Sequence, residues 1–328
     1  MNQIRAIQQK SMMVVSKISL SQHTRKKLVH KASNASWALF RTLLIIGMGY
    51  VILYPILSML SKAFSGDYIQ SELVVWIPRK FSLQNIYAAS KFLKYPTTVV
   101  NTFLLSSVSA LLQVISCSLA GYGFARFKFK GRELLFGMVL FSIIVPPQTY
   151  IISTYLKFRF FNFFGLTGKS SINLINTFWT FWIPSLMGNG LRSGLFIYIF
   201  RQFFRGMPKD LEDAAKIDGC GAFQTYLRIM LPNALTSCLT VFLFSFVWHW
   251  NDYYTSNMMF QIKNEPFSVL IFRQQDFLRN LSAYNFENFN IQYMLNASVL
   301  ISLLPLIIIY IIAQRYFIES VDKSGIKG

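Results

Sequence analysis

Apolar positions in this chain come in long unbroken runs separated by short charged stretches. Six runs contain no Asp, Glu, Lys or Arg: Thr42–Ser61, Tyr95–Ala125, Leu134–Leu156, Ser170–Leu191, Ile229–Asn251 and Asn288–Gln314. Each reaches the ~20 residues that carry a helix across the hydrocarbon core. Backbone groups in lipid must be satisfied within the segment, which favours helices. The strand alternative needs alternating segments of ~10 residues, and these runs are apolar on all sides. The pattern predicts an all-α polytopic membrane protein with six transmembrane helices over residues 37–316. A basic arm, 1–36, precedes them and a short tail, 317–328, follows.

Polar residues, prolines and glycines punctuate this plan. Lys62–Lys94 predicts an outer loop with a short helix near Phe81–Tyr87. The second span ends in the small residues Ala120, Gly121 and Gly123, which allow close helix packing. The third contains Val145–Pro146–Pro147–Gln148, where proline frees backbone carbonyls and bends the helix. The fourth contains Pro184 and a break at Gly188–Asn189–Gly190, with a further apolar turn, Leu195–Phe204, beyond it. Lys263–Asn290 reads as a second outer segment.

Composition supports the membrane reading: of 328 residues, 53% are hydrophobic and 14% charged. A net charge of +19 suggests a nucleic-acid partner, but its distribution excludes one. With both termini in the cytoplasm, twenty basic residues fall in inner segments and eleven in outer loops, and Arg192 completes the 32. That is the positive-inside bias of a multi-pass membrane protein. Cys117, Cys220 and Cys238 have neither metal nor disulfide spacing and read as small apolar fillers. The first span reads as an uncleaved anchor.

One segment is unlike the rest. Met207–Gly221, running on to Ile229–Met230–Leu231–Pro232, is charged and helix-forming with a glycine break. Pro208 suits a first helical turn, and Glu212 and Asp213 suit the positive end of the helix dipole. Ala214 and Ala215 offer a small flat surface. Gly219 and Gly221 break the helix, and Phe223–Pro232 forms a second. The result is a helix–turn–helix knob at the membrane face, read either as a protein-docking surface or as an amphipathic connector.

The knob resembles the loop shared by inner-membrane permease subunits of ABC importers. That pattern is Glu-Ala-Ala, three residues, Gly, nine residues, Ile, one residue, Leu-Pro. Here it reads Asp213–Ala214–Ala215, Gly219, Ile229 and Leu231–Pro232, with Asp213 in place of Glu and Glu212 beside it. Arg201–Lys209, Ala125–Arg132, Pro147–Gln148, Asn176–Thr177, Trp250–Tyr253 and the Arg315–Gly328 tail resemble the carbohydrate-uptake branch, specifically its maltose-type second permease. The resemblance covers roughly residues 40–328. It implies the type I importer permease fold and a subunit that forms half of a translocation path for a sugar or oligosaccharide. A polyol or glycerol phosphate ester is the alternative solute. The implied partners are a cytoplasmic ATPase dimer, a second permease and an extracytoplasmic solute-binding protein. The 205–232 loop, through Glu212–Ala215, Asp218, Gly219, Ile229, Leu231 and Pro232, docks on the ATPase. This chain has no Gly-x-x-x-x-Gly-Lys-Ser/Thr loop, so ATP and Mg belong to that partner. No cofactor, metal or catalytic residue is expected here.

Candidates along the solute path are Gln148, Asn176, Trp250, Asn251, Asp252 and Tyr253. Aromatic rings suit the apolar faces of sugars, and amides and carboxylates suit their hydroxyls. The competing reading makes Asp252 an interfacial cap, the Trp residues an aromatic belt and Gln148 a partner of the proline kink. His249 reads as a packed, hydrogen-bonded histidine, and Arg192 as pairing with backbone carbonyls or snorkelling inward. A membrane enzyme lacks a nucleophile–base or metal constellation. An ion-coupled secondary transporter is expected to carry inverted repeats and midplane charges, neither of which is visible.

Overall fold

The computed structural model describes residues 34, 36–66, 77–78, 80–162, 171–282 and 291–325. The basic arm up to residue 33, much of both outer segments and the last three residues of the tail lie outside these. The chain divides into two compact units. The smaller contributes α1 (Ser36–Ala63), a 28-residue apolar helix, up to Ser61. Leu43, Ile46, Val51 and Ile52 are exposed along it. A helix apolar on every side needs an apolar solvent, and lipid supplies one.

The larger unit is built on α2 (Gln84–Phe92) and α3 (Tyr95–Arg126). Pro96 sits in the first turn of α3, where its missing N–H costs nothing. Ser106, Ser109, Ala110, Cys117, Ser118 and Gly121 are buried along α3. This stripe of small side chains lets α7 (Ser193–Gly206) and α10 (Leu235–Asn251) pack closely on it. At Gly121 a Cβ would stand 2.5 Å from Phe200 Cβ, so only glycine fits that crossing. Cys117, Phe196, Phe200, Phe204, Tyr226 and Met230 form the core there, with Cys238 packed against it.

Two expected spans are interrupted. The run Leu134–Leu156 forms α4 (Arg132–Ile144), a 3-10 turn at Pro147–Thr149 and α5 (Ile151–Arg159). Val145 and Pro146 are extended, as residues before proline tend to be. The run Ser170–Leu191 does not form one transmembrane helix. Only α6 (Trp179–Leu186) is helical in it, and the chain breaks at Gly188–Gly190 before α7. Asn173 Oδ1 accepts the Ile175 N–H, and Asn176 adopts left-handed backbone at φ 65°. Both local choices compete with a helix. The helix that packs on α3 here is therefore α7.

Beyond α7 lie α8 (Asp210–Ile217) and α9 (Ala222–Asn233), the latter meeting α10 at 77°. After α10 come α11 (Tyr254–Met259), α12 (Phe267–Ser282) and α13 (Ile291–Gly325). Among the described residues, α1, α3 and Gln292–Ile312 of α13 are long and apolar enough to cross a membrane. The bent pair α9–α10 makes a fourth such candidate. The only β pairings among the described residues are two isolated bridges.

Candidate functional site

The knob is a built structure. Pro208 lies just before α8, whose first turn carries Asp210, Glu212 and Asp213. Successive residues on a helix point about 100° apart, so Glu212 and Asp213 diverge. Glu212 turns inward and its Oε1 meets Arg126 Nε at 3.5 Å, with side chains only 13% and 7% exposed. Arg126 also donates to the Met207 carbonyl at 2.7 Å. Asp213 turns outward and accepts from Lys216 Nζ at 2.9 Å, which raises the ammonium pKa above its ordinary value. Ala215 is buried, whereas Ala214 and Asp218 are exposed.

The helix ends in a Schellman motif. The Cys220 N–H donates to Ala215 O at 2.9 Å and the Gly219 N–H to Lys216 O at 3.0 Å. Gly219 takes φ +79°, a conformation that glycine adopts without penalty. Gly221 then caps α9, its N–H bonded to Gln224 Oε1 at 3.3 Å. Residues Tyr226–Met230 form a π-helical turn. Tyr226 and Met230 anchor it inward, Tyr226 through a 2.7 Å bond to the Ser118 hydroxyl. Ile229 and Leu231 are half-buried and Pro232 is exposed. Ile217 and Phe223 stand out from the surface, 87% and 62% exposed. The knob thus presents apolar side chains beside Asp213, Lys216 and Asp218 on a base fixed to α3.

The path candidates do not gather at one place. Trp250, Asn251 and Tyr253 line a cavity of about 390 Å³ with Phe267, Phe272 and Gln275. Trp250 is 2% exposed and packs its ring, tilted, against Phe246 and Phe267. Asp252 has another task. Its Oδ2 accepts the Ser256 N–H at 2.8 Å and the Ser256 hydroxyl at 3.1 Å, capping α11. Asn176 holds two segments together. Its Oδ1 accepts the N–H groups of Gln261 and Ile262 at 2.7 and 3.0 Å. Gln148 is exposed in the 3-10 turn after Pro147.

Sequence reading missed Gln113, a fully buried amide inside an apolar run. Its Nε2 donates to Leu191 O at 2.8 Å and Ser193 Oγ at 2.7 Å, and its Oε1 accepts from Ser245. The polar side chain within Tyr95–Ala125 was the available signal. Arg126 was legible only as one member of a basic cluster. Arg192 lies not on carbonyls but over the Trp248 ring, 5.6 Å from its centroid.

This helical framework and its knob can be set beside known proteins. The family described as binding-protein-dependent transport system inner membrane component matches residues 114–323. The chain belongs to that family. It is a multi-pass membrane protein and a permease component of an ABC importer. The melibiose/raffinose/stachyose import permease protein MelC of Bacillus subtilis is 27% identical, over 87% of this chain and 94% of that protein. The arabinooligosaccharides transport system permease protein AraQ of Halalkalibacterium halodurans is 27% identical, over 87% and 96%. The maltodextrin transport system permease protein MalD of Streptococcus pneumoniae is 27% identical, over 87% and 94%. The crystal structure of a bacterial ABC transporter involved in alginate import gives a TM-score of 0.70 at 18% identity, over 87% of this chain and 98% of that one. The fold is therefore that of an ABC importer permease.

Proposed function

We propose that this permease forms half of the path for a sugar or oligosaccharide and couples it to a cytoplasmic ATPase dimer through residues 205–232. A second permease completes the path, and an extracytoplasmic binding protein delivers the solute. ATP and Mg are held by the ATPase, and this chain catalyses no reaction. Both termini lie in the cytoplasm of a bacterial cell.

The observation that carries this reading is the knob: Asp213, Ala214, exposed Ile217 and the Gly219 bend are presented on a helix tied to α3 by Arg126 and Glu212. A rigid base passes on a push that a floppy loop absorbs. ATP binding and solute delivery then each favour one state of the same path. The sugar class is supported by the similar permeases named for oligosaccharides. The 390 Å³ cavity also offers aromatic rings beside Asn251, Ser268 and Gln275.

Co-purification with the ATPase and second permease from the same genome tests the reading. Wild type recovers the ATPase, and Gly219→Asp inserts normally but loses it. Failure of both forms to bind the ATPase overturns the reading.

A further inference from the structure

The two broken helices face each other. The break at Val145–Pro147 and the break at Gly188–Arg192 together line a cavity of about 260 Å³. A smaller one of about 70 Å³ shares Pro147, Tyr150 and Arg192 with it and reaches Thr154 and His249. Non-helical backbone at membrane depth persists only where protein buries it or where it lines a water-filled space. Paired helix breaks are one way membrane transporters build solute sites.

His249 gives this space a chemical character. It is 1% exposed, and its Nε2 has no partner. The tautomer follows from the network behind it. The Leu191 carbonyl can only accept, so it fixes which end of the Gln113 amide is nitrogen. Gln113 Oε1 then accepts the Ser245 hydroxyl proton. Ser245 O lies 2.8 Å from His249 Nδ1, and a carbonyl requires a donor there. The ring proton therefore sits on Nδ1, and Nε2 is a bare lone pair at the cavity. A buried acceptor without a donor is costly unless something else fills the role.

Arg192 lines both cavities and carries no ion pair among the described residues, and neither cavity has a carboxylate in its wall. A cation is repelled from this space. A carboxylate or phosphate group has no proton to give Nε2, so an anionic solute also needs a hydroxyl there. A neutral hydroxyl satisfies both groups, donating to Nε2 while another solute oxygen accepts from the guanidinium. We propose that His249 and Arg192 form a hydroxyl-binding station for the solute, distinct from the cavity at Trp250. This rests on the sugar-permease reading and adds a second solute contact to it.

The test uses the complete importer in lipid vesicles, with raffinose, arabinotriose and maltotriose as probes. Replacing the lone acceptor, His249→Phe lowers maximal uptake about ten-fold, and His249→Gln, which keeps an acceptor, recovers to within about three-fold of wild type. Wild-type uptake by an assembled His249→Phe importer overturns the proposal.

A second arm does not depend on that variant's folding. With Cys117, Cys220 and Cys238 replaced by alanine, Thr154→Cys reacts with a membrane-impermeant thiol reagent, and the transported probe slows the reaction. A sealed cysteine, or one that a transported probe leaves unprotected, overturns the station. A wild-type complex that binds its ATPase yet moves none of the probes refutes the solute class instead. The labelling then decides the cleft by itself: reaction supports an open path, and no reaction overturns it.

Discussion

Arg126 and Glu212 meet at 3.5 Å where α3 ends and α8 begins, and both side chains are nearly covered. One residue on, Asp213 spends its charge at the surface on Lys216. Adjacent acids thus hold separate duties, one facing the bundle and one facing outward. Glu212→Gln is expected to destabilise the chain by roughly 2 kcal/mol, less than a wholly stranded charge because Arg126 keeps the Met207 carbonyl. Asp213→Ala is expected to leave thermal unfolding in detergent unchanged and to lower recovery of the ATPase. Equal loss of stability in both variants would contradict this division.

Gly219 is held at φ +79° with open space where a Cβ would go. The cost of substitution there is conformational and not steric. Gly219→Ala therefore costs about 1 kcal/mol, whereas Gly219→Asn, which visits the left-handed region more readily, costs less. ATPase recovery should fall in the order Gly, Asn, Ala. Alanine outperforming asparagine would place the constraint elsewhere.

Two glycines on α3 separate packing from composition. At Gly121 a methyl group meets Phe200 Cβ at 2.5 Å and the Arg201 nitrogen at 2.9 Å, while at Gly123 nothing lies within 4 Å. Gly121→Ala is expected to cost about 3 kcal/mol by forcing α7 away. Gly123→Ala is expected to be neutral or slightly stabilising in the isolated chain, since alanine favours helix. Thermal unfolding of the detergent-solubilised variants checks both.

Asn176 is the hinge pin of the 171–178 segment, using both backbone groups and its side-chain oxygen. Asn176→Ala loses the two accepted bonds and strains φ 65°, for about 2 kcal/mol. Asn176→Gly keeps the backbone freedom and should recover part of that loss. Uptake kinetics supply the contrast: a change in solute dependence without loss of stability would place Asn176 on the solute path.

Some of this was written plainly in the chain. α1, α3 and α13 follow from the charge-free runs, because a helix in lipid leaves a compositional record that needs no knowledge of its neighbours. The loop was equally plain, since capping glycines and acidic first turns act locally. Pro146, Pro147, Gly188 and Gly190 announced breaks but not their extent. That extent depends on partners far away, such as Gln113 at Leu191 O and Asn176 at Gln261 and Ile262. The inward turn of Glu212 was hidden for a related reason: helical phase assigns faces only once the position of the bundle is known. Asp252 pointed two ways in sequence, and its contact with Ser256 follows from a helix start that the apolar run did not mark.

Under the proposed coupling to the ATPase, the 77° corner between α9 and α10 makes this segment a bell crank. A thrust along the short arm cannot continue in a straight line and is turned into rotation of the long one. At 1.5 Å per residue the 17-residue α10 is roughly 25 Å long, so a tilt of about 10° swings its far end by about 4 Å. His249 and Trp250 ride on that end. A small stroke at the knob is thereby geared up at the cavities that Trp250 and His249 line, and a stiffer corner would trade travel for force.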